Sequence, residues 1–318
     1  LILLSACVDP IDFTSNSYEN NLVVRSILTN ELKKQSVELS RTIPIDSTKL
    51  DPVKNAKVFI VDNNGITYNF EEGENGIYNS ELEFAAEADT FYSLKIETSD
   101  GITYTSKSEK LPDVSGVEDI NVTIEPNDDT NISDVVFRVS SATGSGEGNY
   151  YRYTYEETYK VETNVWIGQK INIVSDVPPY QFEIVDKIPE IDGTGVCFGT
   201  NKSISVMLSE TKTLSEDKVI NFPVRKIPIN NYVIGLRYSI LVKQFVLNKN
   251  NYDFYNLLDR FSDPDNVFSQ IQVGNIPSNI SADVDPDENK VLGFFEVSSI
   301  NEKRIFINRD EITDEVYI

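Results

Sequence analysis

The sequence predicts an all-β fold with two β-rich domains and one or two short helices. Runs of β-branched and aromatic residues recur at intervals of roughly 8–12 residues and are separated by turn residues. The 318 residues include 16 Phe and 16 Tyr, and 40% of the chain is hydrophobic, which is enough to fill two cores. The spacing favours an Ig-like β-sandwich over residues 21–112, followed by a larger antiparallel β-rich domain over residues 113–318.

The first residues have the pattern of a bacterial lipoprotein signal. The apolar run Leu1–Leu4 leads through Ser5 and Ala6 to Cys7, which matches a lipobox. In such signals the cysteine becomes the mature N-terminus and carries acyl chains, so we expect Cys7 to anchor the protein to a membrane. Residues 1–7 are therefore interpreted as the end of the signal and residues 8–20, which are polar and without periodicity, as a tether.

Tight turns divide the predicted sandwich into strands. Asn63-Asn64-Gly65 separates two β-rich runs, and Asp100-Gly101 does the same further along the chain. Asn-Gly and Asp-Gly are the strongest short hairpin signals because these residues tolerate positive φ. The Cys…Trp…Cys pattern of antibody domains is missing, so the prediction is a sandwich without that disulfide. Leu111-Pro112-Asp113 marks the predicted end of this domain.

Further strand patterns and one helix follow. A long β-rich run covers residues 232–246. In residues 251–261, apolar residues at 254, 258 and 261 have the spacing of one helix face. The shorter predicted strands of this domain include residues 120–124, 135–139, 151–155 and 204–208.

Composition excludes several classes of function. The chain has no histidine, which removes Ser-His-Asp and Cys-His catalysis and His-ligated zinc. Its net charge of −23 opposes binding to nucleic acid. With Cys7 lipidated, Cys197 has no partner for a disulfide, and its apolar, glycine-rich neighbours favour a buried thiol. Nothing in the sequence indicates a cofactor or a catalytic site, and we expect a non-enzymatic protein.

Alternating carboxylates at Asp283, Asp285 and Asp287 resemble a calcium-binding loop. An EF-hand needs Gly at the sixth position and Glu at the twelfth, and the chain has Glu288 and Phe294 there. An exposed acidic turn is the preferred interpretation, with a calcium site of another type as the alternative.

Aromatic residues in the second domain are candidates for ligand or partner contact. Tyr151, Tyr153 and Tyr155 alternate, so a strand would place all three on one face. Such rings provide a large contact area for a ligand or partner, but they also fill cores, and packing in a core or domain interface is the preferred interpretation. Trp166 offers the same alternatives.

Several separated motifs together resemble one family, the Bacteroidota outer-membrane lipoproteins of domain of unknown function 4249. Besides the lipobox, the motifs are Leu22-Val23-Val24, Asn63-Asn64-Gly65 with Tyr68, Gly76-Ile77-Tyr78, Asn149-Tyr150-Tyr151-Arg152, the 252–261 helix, Gly274-Asn275-Ile276, Val291 to Phe295 and Lys303 to Ile307.

This resemblance implies a β-rich protein anchored by lipid to the outer membrane. Because its acidic tether resembles the signals that export such lipoproteins to the cell surface, we expect it to be exposed there. It also implies an accessory role beside a TonB-dependent outer-membrane transporter, by ligand capture or by capping the barrel. The family provides no catalytic residues. The alternatives are a structural or adhesive surface lipoprotein without a transport partner and a carboxylate-based hydrolase.

Overall fold

The chain forms two compact units. The computed structural model describes residues 19–44, 47, 50–142, 149–163, 167–189, 193–214, 216–262 and 277–313. The first unit consists of residues 1–111 and 260–298, and the second of residues 112–259 and 299–318. The sequence-based division placed all of 113–318 in one domain. The structure instead assigns 260–298 to the first unit, because the strands in this segment pair with strands from the N-terminal part of the chain.

The prediction of an all-β chain with an Ig-like sandwich and short helices is confirmed. Nine strands precede Pro112: β1 (Leu22–Thr29), β2 (Ser36–Arg41), β3 (Asp51–Pro52), β4 (Lys57–Asp62), β5 (Thr67–Glu72), β6 (Ile77–Ser80), β7 (Phe91–Glu97), β8 (Thr103–Ser106) and β9 (Glu109–Lys110). The next nine are β10 (Val117–Glu125), β11 (Asp134–Ser141), β12 (Tyr150–Glu162), β13 (Gln169–Ser175), β14 (Gln181–Asp186), β15 (Val196–Lys202), β16 (Met207–Glu210), β17 (Phe222–Pro228) and β18 (Arg237–Leu247). The helix α1 (Lys249–Ser262), the strands β19 (Ile280–Ala282) and β20 (Val291–Asn308) and the short helix α2 (Arg309–Ile312) follow.

The first unit is built around one core between antiparallel strands. The strand order is β1-β2-β6-β5-β4-β7-β8-β19, and the first half of β20 pairs with β1 in parallel. Alternate residues of each strand are buried, as Leu22, Val24 and Leu28 are in β1. Phe295 and Val297 of β20 belong to the same core, so the late segment completes this unit.

The predicted hairpins of the first unit are present. Residues 63–66 connect β4 to β5, with Gly65 at φ +85°. The Asp62 carboxylate accepts hydrogen bonds from the backbone N–H groups of Asn64 and Ile66, at 2.9 and 2.8 Å. Gly101, at φ +86°, occupies the turn between β7 and β8. Both glycines adopt a backbone conformation that L-residues rarely populate.

The second unit is centred on the 13-residue strand β12. One edge of β12 pairs with β18, and β18 pairs in turn with the second half of β20. The other edge of β12 pairs with β15 and with β16. A separate sheet has the order β10-β11-β17, and its buried residues share a core with β12 and β18.

The strands β13 and β14 form a two-stranded hairpin of their own. The chain enters it after β12 and leaves it before β15, so the hairpin is inserted between two paired strands. Most of its residues are exposed. We call residues 169–186 the hairpin arm.

Helix positions differ slightly from the prediction. The helix predicted at 251–261 extends from Lys249 to Ser262. The long strand predicted at 232–246 begins only at Arg237, because residues 232–234 form a 3₁₀ turn capped by the Asn231 side chain, which accepts a hydrogen bond from Val233 N at 3.0 Å. Within the described parts of the chain, no helix has the length and apolar character needed to cross a bilayer.

Candidate functional site

The structure describes some of the predicted site residues and not others. Cys7 and Trp166 lie outside the described residues. Cys197 lies on β15 and is exposed, so the prediction of a buried thiol is wrong. The apolar, glycine-rich neighbours predicted burial, but most residues of β15 are exposed, and only Val196 and Gly199 are half-buried.

The three tyrosines of β12 share one face, as their alternation predicts. Tyr151 and Tyr153 are fully buried, and their rings stack with centroids 6.4 Å apart. The Tyr153 hydroxyl donates to the Gln244 side chain at 3.0 Å. Burial raises the pKa of Tyr153 well above its ordinary value of 10.0. A ligand has no access to these two side chains, which are core residues, and Tyr155 is half-buried against the same core.

The acidic residues Asp283, Asp285 and Asp287 lie in the turn between β19 and β20. The Asp285 carbonyl oxygen accepts hydrogen bonds from the backbone N–H groups of Glu288 and Asn289, at 3.1 and 3.0 Å. Asp285 itself has φ +49°. Among the described residues, no three carboxylates converge as a metal site would require.

A buried ionic cluster that sequence reasoning missed is centred on Glu157 of β12. Glu157 is 1% exposed, and the Arg225 guanidinium donates to both of its carboxylate oxygens at 3.0 Å. The Tyr238 hydroxyl donates to the same carboxylate at 2.6 Å, and Asn201 donates at 3.2 Å. Burial, followed by the charge of Glu157, raises the pKa of Tyr238 far above 10.0. Each lone pair direction of the carboxylate thus has a donor, as a buried charge needs, and the cluster has a structural role.

The hairpin arm presents the strongest candidate for an interaction surface. Cross-strand pairs Ile171–Ile184 and Ile173–Phe182 place four apolar side chains on one face. Each of these side chains is between 65% and 69% exposed. On the opposite face the Asn172 side chain donates a hydrogen bond to the Glu183 carboxylate at 2.8 Å.

Other apolar residues surround the same face. Tyr180 in the turn is 72% exposed, and Val177 is 63% exposed. Ile171, Ile173, Tyr180 and Phe182 line a shallow depression of about 390 Å³. At on the order of 100 Å² for each side chain, the four face residues alone expose about 400 Å² of contiguous apolar surface. An apolar patch of this size is comparable to the largest patch on a typical soluble monomer, which is often functional.

Comparison with protein families identifies the chain. The model for "Domain of unknown function (DUF4249)" matches residues 8–304. The chain belongs to this family. The membership predicted from the separated motifs is therefore confirmed, and the match extends across both units of this DUF4249 protein. A search of the curated proteins found no match.

Solved structures resemble the chain only remotely. Trypsin-activated alpha-2-macroglobulin from Escherichia coli has 12% identity and a TM-score of 0.22, with 73% of this chain and 15% of that chain covered. A tetra-tandem repeat from the extending region of a large adhesion protein has 9% identity and a TM-score of 0.20, covering 72% and 46%. A segment of two fibronectin type III domains from chicken tenascin has 12% identity and a TM-score of 0.17, covering 71% and 89%.

Proposed function

We propose that this DUF4249 protein is a non-enzymatic lipoprotein of the outer membrane that docks onto a TonB-dependent transporter. The lipid anchor is Cys7, and the apolar face of the hairpin arm is the docking surface. The observation that carries the proposal is this face, because its four apolar side chains are exposed and paired in register. Sequence resemblance to the family supplies the expectation of a transporter.

The chemistry of the arm supports a protein partner over other occupants. A flat apolar face of this size gains free energy only when another apolar surface excludes water from it. A second copy of the chain carries the same net charge of −23, and anionic headgroups carry the same sign, so both approaches are opposed by repulsion. The partner surface that fits is apolar at its centre with basic residues around it.

The absence of a histidine supports a role without catalysis. Glu157 is the carboxylate that neighbouring side chains hold in place by several hydrogen bonds. Those hydrogen bonds occupy its oxygens, and the residue is too deeply buried to contact a substrate. A docking role needs only an accessible surface and an anchor, and the exposed apolar face of the hairpin arm is the candidate for that surface.

Site-specific photo-crosslinking in the native envelope tests the proposal. A photoreactive amino acid replaces Ile173, and the crosslinked product is identified by mass spectrometry. The expected product is an outer-membrane barrel transporter. The double variant Ile171→Asp/Phe182→Asp, combined with the photoreactive residue, is expected to lower the yield at least tenfold, since two buried apolar contacts worth about 1.5–3 kcal/mol each are replaced by charges.

The matched control changes exposed apolar residues elsewhere. Leu32 and Leu82 are 72% and 78% exposed in the first unit, and Leu32→Asp/Leu82→Asp should leave the yield unchanged. Crosslinking to a second copy of the chain, or no crosslink to a barrel protein, would contradict the docking proposal. The anchor is tested separately, since Cys7→Ser should abolish labelling by radioactive palmitate and release the protein from washed membranes.

A further inference from the structure

A small cleft on the second unit combines three cationic side chains with two phenyl rings. It has a volume of about 210 Å³, and its lining includes Lys160, Arg237, Arg304, Phe198 and Phe306. Phe198 and Phe306 are 67% and 58% exposed, so both rings are accessible from solvent. The cleft is separate from the hairpin arm in its residues.

Four strands bring these residues together. Lys160 of β12 lies opposite Phe198 of β15, and Ser239 of β18 lies opposite Phe306 of β20. Thr158 of β12 pairs with Ser239, which links the two sides in one cross-strand row. Since these positions are related by an even number of residues along each strand, they share one face of the sheet.

The charge of the cleft is opposite to that of the chain. The protein has 51 acidic and 28 basic residues, yet three basic residues and no Asp or Glu line the cleft. Lys160 forms an ion pair with Glu162 outside the lining. Over the described ranges of the chain, Arg237 and Arg304 have no carboxylate within ion-pair distance, so their charges are available to a ligand.

The surrounding side chains hold the two arginines in place. Arg304 Nη1 donates to the Oγ of the buried Ser239 at 2.8 Å, which orients the guanidinium while most of its donors stay unused. The Arg237 guanidinium carbon lies 5.5 Å from the centroid of the Phe306 ring. A planar guanidinium held in this way matches the two oxygens of a carboxylate or phosphate.

We propose that this cleft binds a small organic anion whose head is a carboxylate or phosphate and whose body is an apolar ring. The head accepts hydrogen bonds from Arg237 and Arg304, and the ring lies against Phe198 and Phe306. The volume is below the ~300–1,000 Å³ of pockets for drug-sized ligands. A small free acid therefore fits whole, and a peptide fits by its C-terminal aromatic residue.

Isothermal titration of the full chain with four probes tests the site. The probes are 3-phenylpropionate, its neutral amide, phenyl phosphate and the tripeptide Gly-Gly-Phe with a free carboxylate. Binding of at least one anionic probe and none of the amide is the expected result. Affinity should fall about tenfold or more in Arg304→Gln and in Arg237→Gln, since a hydrogen bond to a charged group is lost.

Controls separate the site from general charge effects. Arg25, an exposed arginine of the first unit, is the matched control, and Arg25→Gln should bind like the wild type. Phe306→Leu should weaken binding while leaving the charge unchanged. Binding of the tripeptide alone would assign the site to peptide C-termini, and binding of phenylpropionate or phenyl phosphate would assign it to free acids. Equal binding of the amide, binding unaffected by the arginine substitutions, or no binding of any probe would each overturn the proposal. Since none of these measurements involves the hairpin arm, their failure leaves the docking proposal untouched.

Discussion

Gly293, in β20, shows how one backbone position constrains the first unit. It has φ +98°, and an ideal Cβ there would lie 1.9 Å from the Val24 carbonyl oxygen. We therefore expect Gly293→Ala to lower the free energy of unfolding of this unit by about 3 kcal/mol or more, from backbone strain and displacement of β1. Chemical denaturation followed by circular dichroism measures the loss.

Gly101→Ala is the matched control for that substitution. Gly101 also has positive φ, at +86°, but a Cβ there would have no atom within 4 Å. Its cost should be limited to the strain of a left-handed residue, about 1–2 kcal/mol. Equal losses for the two variants would show that the close approach to Val24 contributes nothing.

The Glu157 cluster sets a second residue-scale prediction. Arg225→Met leaves the Glu157 carboxylate buried with donors only from Tyr238 and Asn201. The free energy of unfolding of the second unit should fall by about 3 kcal/mol, because an uncompensated charge remains inside. As a control, Lys57→Met breaks the exposed pair with Glu97 and should cost no more than about 1 kcal/mol. If Arg225→Met also lowered the free energy of unfolding by less than about 1 kcal/mol, the charge pairing would not stabilise the cluster.

The same cluster predicts instability at high pH. Because the pKa of Tyr238 is raised in the fold, the neutral hydroxyl favours the folded state. Its contribution is complete below the unfolded value of about 10 and declines as pH rises above that value. Tyr238→Phe should therefore reduce the loss of stability between pH 10 and 11.5, measured by denaturation at each pH. The same slope in both proteins would contradict this assignment.

At the scale of elements, an ion pair ties β10 to β11. The Arg138 guanidinium donates to both carboxylate oxygens of Glu125, at 2.9 and 2.8 Å. These hydrogen bonds hold the pKa of Glu125 at about 2. Since the pKa is lowered by folding, the stabilisation is present above about 4.5 and is lost as pH falls towards 2.

Carbon NMR of the Glu125 carboxylate measures this shift directly. In Arg138→Gln the pKa should return towards the ordinary value of 4.5. Arg25→Gln, which removes an exposed arginine from the other unit, should leave the titration of Glu125 unchanged. A wild-type midpoint near 4.5 would mean that the pair does not persist in solution.

Local sequence signals predicted strands, turns and the helix, but they did not predict which faces of the strands are exposed. The turn at Asn63–Gly65 and the helix at 251–261 were predicted because their signals come from neighbouring residues. The alternation in Ile171 to Ile173 and Phe182 to Ile184 indicates strands, but whether another element covers that face depends on contacts far away in sequence. For Tyr151 and Tyr153 the alternation predicts a shared face, but it does not show whether that face is covered. Only the packing of β12 on its core shows that both side chains are inaccessible.

The cleft of the second unit lay beyond sequence reasoning for a related reason. Lys160, Phe198, Arg237 and Arg304 come from four strands and span most of the second unit. Their proximity follows from the register of non-consecutive strands. Each of them alone reads as an ordinary exposed residue on a β-strand.

At the scale of the whole molecule, the first unit depends on a distant segment. Asn279 Nδ2 donates to Glu109 at 3.1 Å and to the Phe295 carbonyl oxygen at 2.9 Å, all within this unit. A fragment of residues 21–112 lacks this network and the apolar side chains of Phe295 and Val297. We expect it to give an NMR spectrum with the poor dispersion of an unfolded chain.

Restoring the missing segment is the control for that fragment. Residues 21–111 joined through a Gly/Ser linker to 277–298 should recover dispersed amide resonances, because β19 and the first half of β20 are again available. A well-dispersed spectrum from residues 21–112 alone would show that these two strands are dispensable.

The pairing of β1 with β20 also sets an order of events during biosynthesis. A ribosome or a translocation channel releases residue 22 long before residue 291, its neighbour in the sheet. Until the late strand emerges, the N-terminal portion has an unprotected edge at β1 and an incomplete interior. Chaperones that bind nascent chains can therefore act on the N-terminal portion while most of the polypeptide is still being synthesised, before β20 emerges and pairs with β1.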